Sequence, residues 1–174
     1  MFGMPLHPLV VHFPIVLTFL LPISVLGALW AIRKGATPRR AWSVPVAVAA
    51  ALSLSAFVAV QTGEAEEDRV EQVVADGAIH SHEEGAERFL VLSGALLVVA
   101  AAGFVPRTVG RAARVVTTAG ALGLVAAAAQ VGHSGGTLVY RDGAASAYAD
   151  PAGIPRGTDV TAAASGGARS DDDH

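Results

Sequence analysis

The 174-residue sequence contains no cysteine. That excludes disulfides, iron–sulfur clusters, zinc–thiolate sites and covalently attached c-type haem. Charge is scarce as well. Only 16% of the residues are Asp, Glu, Lys or Arg, against roughly a quarter in soluble domains, which argues against an ordinary water-soluble globule. Aromatics amount to 6%, so the 52% apolar share comes mainly from alanine, valine and leucine. A net charge of −3 and the lack of any basic groove motif give no reason to expect a nucleic-acid partner. No HExxH, nucleophile elbow, P-loop or dinucleotide fingerprint occurs, and no catalytic residue is assigned.

What remains is apolar and comes in blocks. Four stretches, 10–32, 43–60, 89–105 and 115–131, each approach the ~17–25 residues of a membrane helix. The second and third have no charge in their interiors, and apolar residues run all round them with no polar stripe. Four such helices in so short a chain leave nothing to cover them except lipid. The first stretch is expected to be a retained helix and not a cleaved signal: Arg33 and Lys34 follow it, and no small-x-small site closes it. Pro14 and Pro22 are tolerated there as membrane helices tolerate prolines generally.

Charge partition sets an orientation. Arg33, Lys34, Arg39 and Arg40 fill the first connection, Arg107, Arg111 and Arg114 the third, and neither connection holds an acid. The basic loops are expected in the cytoplasm, with both termini and the acidic central connection outside. Gly27, Ser53, Ser55, Ser93, Gly94, Gly120 and Gly123 let helix backbones approach closely. The halves are also loosely alike: each is a hairpin with a basic turn, and Gln61-Thr62-Gly63 ends one return helix much as Gln130-Val131-Gly132 ends the other. The expected fold is an all-α, four-helix transmembrane antiparallel bundle over 1–143. It has an outward-facing helical connection, a short non-spanning helix within 61–88 and the 80–87 segment capping its outer end. A flexible, disordered C-terminal tail follows over 144–174, rich in Gly, Ala, Ser and Asp.

Histidine is the informative residue. His7 and His12 open the first span, His80 and His82 precede the third, His133 follows the fourth, and His174 lies in the tail. Threading the spans brings the first five to one membrane face. A single histidine there would be read as an interfacial side chain; five from three stretches point to a site. His12, about a turn inside its helix, is expected to face the bundle, where an unpartnered imidazole would be costly to bury. His7 sits about 140° round an ideal helix from it, and His80 and His82 are about 200° apart, so only one of each pair shares an inward face. His82 is preferred to His80 because Glu83 and Glu87 follow it, and a carboxylate can fix the tautomer of a ligating ring. His133 stands among Gly132, Gly135 and Gly136, which would let a porphyrin edge come close. Glu64, Glu66 and Glu67 form either a solvated acidic loop or part of the site.

Two chemistries fit such a set. A b-type haem needs axial nitrogens and an apolar slot, with His12 on one side and His82 or His133 opposite. A bare transition ion such as iron, copper or zinc needs three or more ligands, which His12, His82, His133, Glu67 and Glu83 would supply. The Glu-x-x-His pairs of di-iron bundles are absent.

Leu6-His7-Pro8-Leu9-Val10-Val11-His12-Phe13-Pro14-Ile15 resembles the LHPLxVHFPI start of the bacterial membrane family catalogued as domain of unknown function 2231. The segment from Gly132 to Gly143 is similar to that family's closing G-x-x-G-G-x-L-V-Y-x-x-G, with Asp142 where many members carry histidine. The likeness runs from about Leu6 to Gly143. It implies a multi-pass protein of the bacterial inner membrane. Because some relatives are joined to Rieske or cytochrome c modules, it also implies redox partners of that type. The functional expectation is a cofactor-binding, electron-transferring membrane protein with its site at the outer face. The alternative is a non-enzymatic structural or assembly subunit whose histidines only tie the bundle ends together. A solute carrier has no support, since no charge sits at mid-membrane depth.

Overall fold

The computed structural model describes residues 6–148, and among them every regular element is helical. The helices are α1 (His7–Val10), α2 (His12–Arg33), α3 (Pro38–Glu64), α4 (Glu67–Val70), α5 (Asp76–Ala102) and α6 (Arg107–Tyr140), with a 3-10 turn at Ala144–Tyr148. α1 and α2 form one span, His7–Arg33, interrupted at Val11. The interruption falls where Pro14 has no N–H to offer the carbonyl one turn before it. The buried Thr18 hydroxyl donates to the Pro14 carbonyl at 2.7 Å.

Among the described residues the spans number four, each long and apolar enough to cross a bilayer. At most 28% of the most apolar stretch of any of them is buried inside the bundle. Phe13, Phe19, Ile23, Leu26 and Trp30 lie exposed along α2 alone. Such surface is stable only against lipid, so the chain is a multi-pass membrane protein.

The connections 34–37 and 103–106 are too short for anything but antiparallel hairpins. α2 packs on α3 and α6, and α5 packs on α3 and α6. The core runs down the middle: Leu21, Val25, Trp42, Ala49, Leu52, Leu96, Ala121 and Leu124. The expected short helix in the central connection is α4. Val74, Ile79, Leu138 and Ala144 close that end as a second small cluster.

Three expectations need adjusting. The 80–87 segment is not a separate cap but the opening turns of α5, which starts at Asp76. His133 does not follow the last span. α6 runs 34 residues to Tyr140, beyond the ~20 that cross the hydrocarbon core, and carries His133 and its glycines as helix. Glycine disfavours helix by only ~1 kcal/mol each, and packing against α5 offsets it. Finally, Ala144–Tyr148 is a 3-10 turn packed on α6 and α4, so the tail expected from Ala144 begins with ordered chain. The rest of that expectation, 149–174, lies outside the described residues.

The buried residues of the two hairpins keep the same spacing. Pro14, Thr18, Leu21, Val25 and Ala28 on the first match Phe89, Ser93, Leu96, Ala100 and Gly103 on the second. Pro45, Ala49 and Leu52 match Thr117, Ala121 and Leu124. Alternating three- and four-residue steps are expected of any left-handed bundle. The agreement in residue type at these positions, Thr18 with Ser93, Leu21 with Leu96, Ala49 with Ala121 and Leu52 with Leu124, is additional and holds at offsets of 75 residues for α2 on α5 and 72 for α3 on α6.

Candidate functional site

Every histidine among the described residues lies at one end of the bundle, and helix phase decides which of them face its axis. His7 precedes the buried Pro14 by one heptad, and His82 precedes the buried Phe89 by one heptad, so both fall in line with the core stripe. Both are half-buried, whereas His12, His80 and His133 are exposed. The expectation for His12 is therefore corrected. It lies about 200° round the helix from Pro14, and the inward position belongs to His7.

His7 and His82 meet. Their ring centroids are 6.4 Å apart with the planes at 88°. His7 Nδ1 donates to the Ala59 carbonyl at 2.9 Å, and the Thr62 hydroxyl, which donates to that carbonyl at 3.0 Å, lies 3.5 Å from the same nitrogen. His82 Nδ1 lies 2.9 Å from the Ser134 hydroxyl, which in turn donates to the Val131 carbonyl at 3.0 Å. Each ring packs closely against a glycine. A Cβ on Gly63 would come within 3.3 Å of the His7 ring, and one on Gly135 within 3.0 Å of His82 Cε1. Gly135, expected to admit a porphyrin edge, thus admits an imidazole.

Glu66 holds this end together. One carboxylate oxygen accepts the Leu6 N–H at 2.6 Å and the His7 N–H at 3.2 Å, and the other accepts the Tyr148 hydroxyl at 2.8 Å. A carboxylate suits the unpaired N–H groups of a first helical turn. Arg69 lies over the Tyr148 ring, 5.4 Å from its centroid. Burial, and then the hydrogen bond and negative charge of Glu66, push the Tyr148 ionisation up to about 12. Sequence spacing offered no sign of this, because the partners come from three separate stretches.

The carboxylates near the histidines, Glu67 and Glu83 of the expected ligand set among them, behave differently. Glu83 has Glu67 as a close neighbour, Glu84 pairs with Arg88 one turn on, and Glu87 is exposed. Among the described residues, no three histidine or acidic side chains converge as a metal site would require. The set His12, His82, His133, Glu67 and Glu83 is thus not assembled, because His12 and His133 sit on the outward faces of their helices.

The opposite end holds a cluster that composition did not disclose. Trp42 is fully buried, its indole N–H donates to the Ala100 carbonyl at 2.8 Å, and a Cβ on Gly103 would overlap the indole nitrogen. Arg114 donates from Nε and Nη2 to the Gly103 carbonyl at 3.0 and 2.7 Å and lies over the Trp42 ring.

Comparison with known proteins agrees with this architecture. The family model described as a predicted membrane protein, domain of unknown function 2231, matches residues 3–147. No curated protein and no solved structure matches the chain.

Proposed function

Starting from a chain that belongs to this membrane family, we propose that it binds a redox cofactor between its halves, with His7 and His82 as the nitrogen donors. One observation carries the reading: two half-buried imidazoles, one from each hairpin, lie 6.4 Å apart with each Nδ1 already engaged by its own hairpin. A metal bonded at about 2.0–2.1 Å to each of two imidazoles would put the ring centres about 6 Å apart. Two donors are too few for a directly bound zinc or iron ion but suffice for copper(I), which accepts two-coordinate binding, and for haem iron, which brings four nitrogens of its own. The cofactor would supply one-electron chemistry. The chain's own part is to hold the two rings, exclude lipid from them with the cluster around Val74 and Leu138, and keep them at the membrane surface. The basic turns are proposed to face the cytoplasm, which sets the histidine end outside the inner membrane, within reach of a Rieske or cytochrome c type partner.

The competing reading is a structural subunit in which the two histidines merely tie helix ends, and the bonds to Ala59 and Ser134 favour it to that extent. An absorption spectrum and metal analysis of gently extracted protein separate the two. A Soret band lost in His7→Ala and in His82→Ala, but kept in His12→Ala and His133→Ala, supports the cofactor site. A colourless, metal-free protein that does not take up added haemin supports the structural subunit. The orientation is tested on the cysteine-free background with Thr37→Cys and Glu71→Cys. Labelling of Glu71→Cys alone by an impermeant thiol reagent on intact cells is expected, and the reverse pattern would invert the topology.

A further inference from the structure

The offsets that align the two cores, 75 residues for α2 on α5 and 72 for α3 on α6, also align the two histidines and what holds them. Matching Pro14 with Phe89 places His7 on His82 and Thr18 on Ser93. Matching Ala49 with Ala121 places Ala59 on Val131, Thr62 on Ser134 and Gly63 on Gly135. The contacts correspond as well as the positions. In each half a hydroxyl on the return helix donates to the carbonyl one turn back, at 3.0 Å in both cases. The next residue is a glycine against which the ring is laid, and the ring's Nδ1 points into that carbonyl–hydroxyl pair. The match also resets the likeness expected from sequence. Thr62-Gly63 corresponds to Ser134-Gly135, one turn beyond Val131-Gly132. Exchanging the hairpins exchanges the α3–α5 contact with the α6–α2 contact, of which the first is the more extensive.

The bonds determine where the ring protons are. A carbonyl oxygen only accepts, so His7 carries its proton on Nδ1. The Ser134 hydroxyl lies 3.0 Å from the Val131 carbonyl, and with its hydrogen given there its oxygen is left to accept from a His82 protonated on Nδ1. A neutral imidazole protonated on Nδ1 has its lone pair on Nε2. Ligating histidines characteristically donate the remote N–H to a backbone or side-chain oxygen in this way.

We propose that the halves are two copies of one histidine-bearing hairpin. In each, Thr62 with Gly63, or Ser134 with Gly135, is the matched positioning pair that holds His7 or His82 as its Nδ1–H tautomer, keeping one Nε2 lone pair per half as a donor to a metal centre. This rests on the cofactor reading above for the identity of what is bound, but not for the clamp itself. The chemistry asked of the ligand is an iron or copper centre that accepts two imidazole nitrogens.

The test uses the full chain, 15N-labelled in lipid nanodiscs, first with no metal or haem added. Above the ordinary imidazole titration, at about pH 8, histidine 15N shifts are expected to report Nδ1–H for both His7 and His82. Gly63→Ala and Gly135→Ala are the diagnostic variants, because alanine favours helix over glycine and circular dichroism of each variant shows directly whether the bundle stays folded. Each is expected to release the tautomer of its own histidine, and Gly135→Ala the more completely, its Cβ being the closer. Ser134→Thr, which supplies the hydroxyl used in the other half, is expected to keep the wild-type tautomer. Titration with haemin and, separately, copper(I) then follows Soret absorbance and bound copper. Each glycine variant should weaken whichever ligand binds by roughly 10–100-fold. Nε2–H on either ring, or glycine variants with unchanged tautomers, overturns the clamp whatever binds. Nδ1–H on both rings with neither ligand bound leaves the clamp standing and overturns the cofactor reading alone.

Discussion

The two ends of the bundle are built from the same helices and solve different problems. At the basic end, polar groups are consumed by the fold: the Trp42 indole is fully buried on the Ala100 carbonyl, and the Arg114 fork closes on Gly103. At the histidine end each imidazole is held by one nitrogen and stays half-exposed, and the backbone there is anchored by Glu66, which lies outside the spans. A buried, satisfied cluster specifies a unique packing. A half-buried pair of rings with one nitrogen engaged leaves the other free for the proposed cofactor. The two ends thus differ in how far the fold uses up their polar groups, and mutations at them should separate accordingly.

The largest effect is expected at Trp42. Trp42→Ala leaves a cavity and removes the indole's bond to the Ala100 carbonyl, which the Gly103 N–H still partners, and should cost about 3–5 kcal/mol in reversible unfolding in micelles, without changing the donor nitrogens at the far end. If it altered histidine tautomers as strongly as it lowered stability, the separation of the ends would be broken. Gly103→Ala drives a methyl into the indole and should cost about 1–3 kcal/mol by overpacking, read in the same unfolding assay and as a shift in Trp42 fluorescence. Arg114→Lys keeps the charge but loses the two-pronged donation to Gly103, for an expected loss of about 1–2 kcal/mol.

The histidine end should reverse the pattern. His7→Ala removes one hydrogen bond to a carbonyl that Thr62 still partners, so stability should fall by only about 1 kcal/mol, while binding of added haemin or copper is lost. The smallest effect is expected at Tyr148. Tyr148→Phe deletes one bond to Glu66 and should cost about 0.5–1.5 kcal/mol. In a Tyr140→Phe background, tyrosinate absorbance of the folded chain should rise with a midpoint near the value of about 12 set by burial and Glu66. Because the folded value is raised, the contribution of this tether is fully present below pH 10, the ordinary value of a tyrosine, and is lost as the pH climbs through the folded value. A midpoint at the unperturbed value would show that the tether does not form.

Span count, antiparallel order, the segregation of basic turns from an acidic, histidine-bearing end, and membrane residence all followed from hydropathy and charge along the chain, because each depends on neighbours in sequence. The helical phase of the histidines was legible in principle. Counting heptads back from Pro14 and Phe89 selects His7 and His82 and rejects His12 and His80, but only once the buried stripe is known, and in spans apolar on every side the stripe is hidden. The rest was decided in three dimensions. Glu66 reaches Leu6, His7 and Tyr148, and Trp42 reaches Ala100, only because the helices stand at one rotation and one register relative to each other. That rotation is chosen by small-residue packing between helices, which no local pattern encodes.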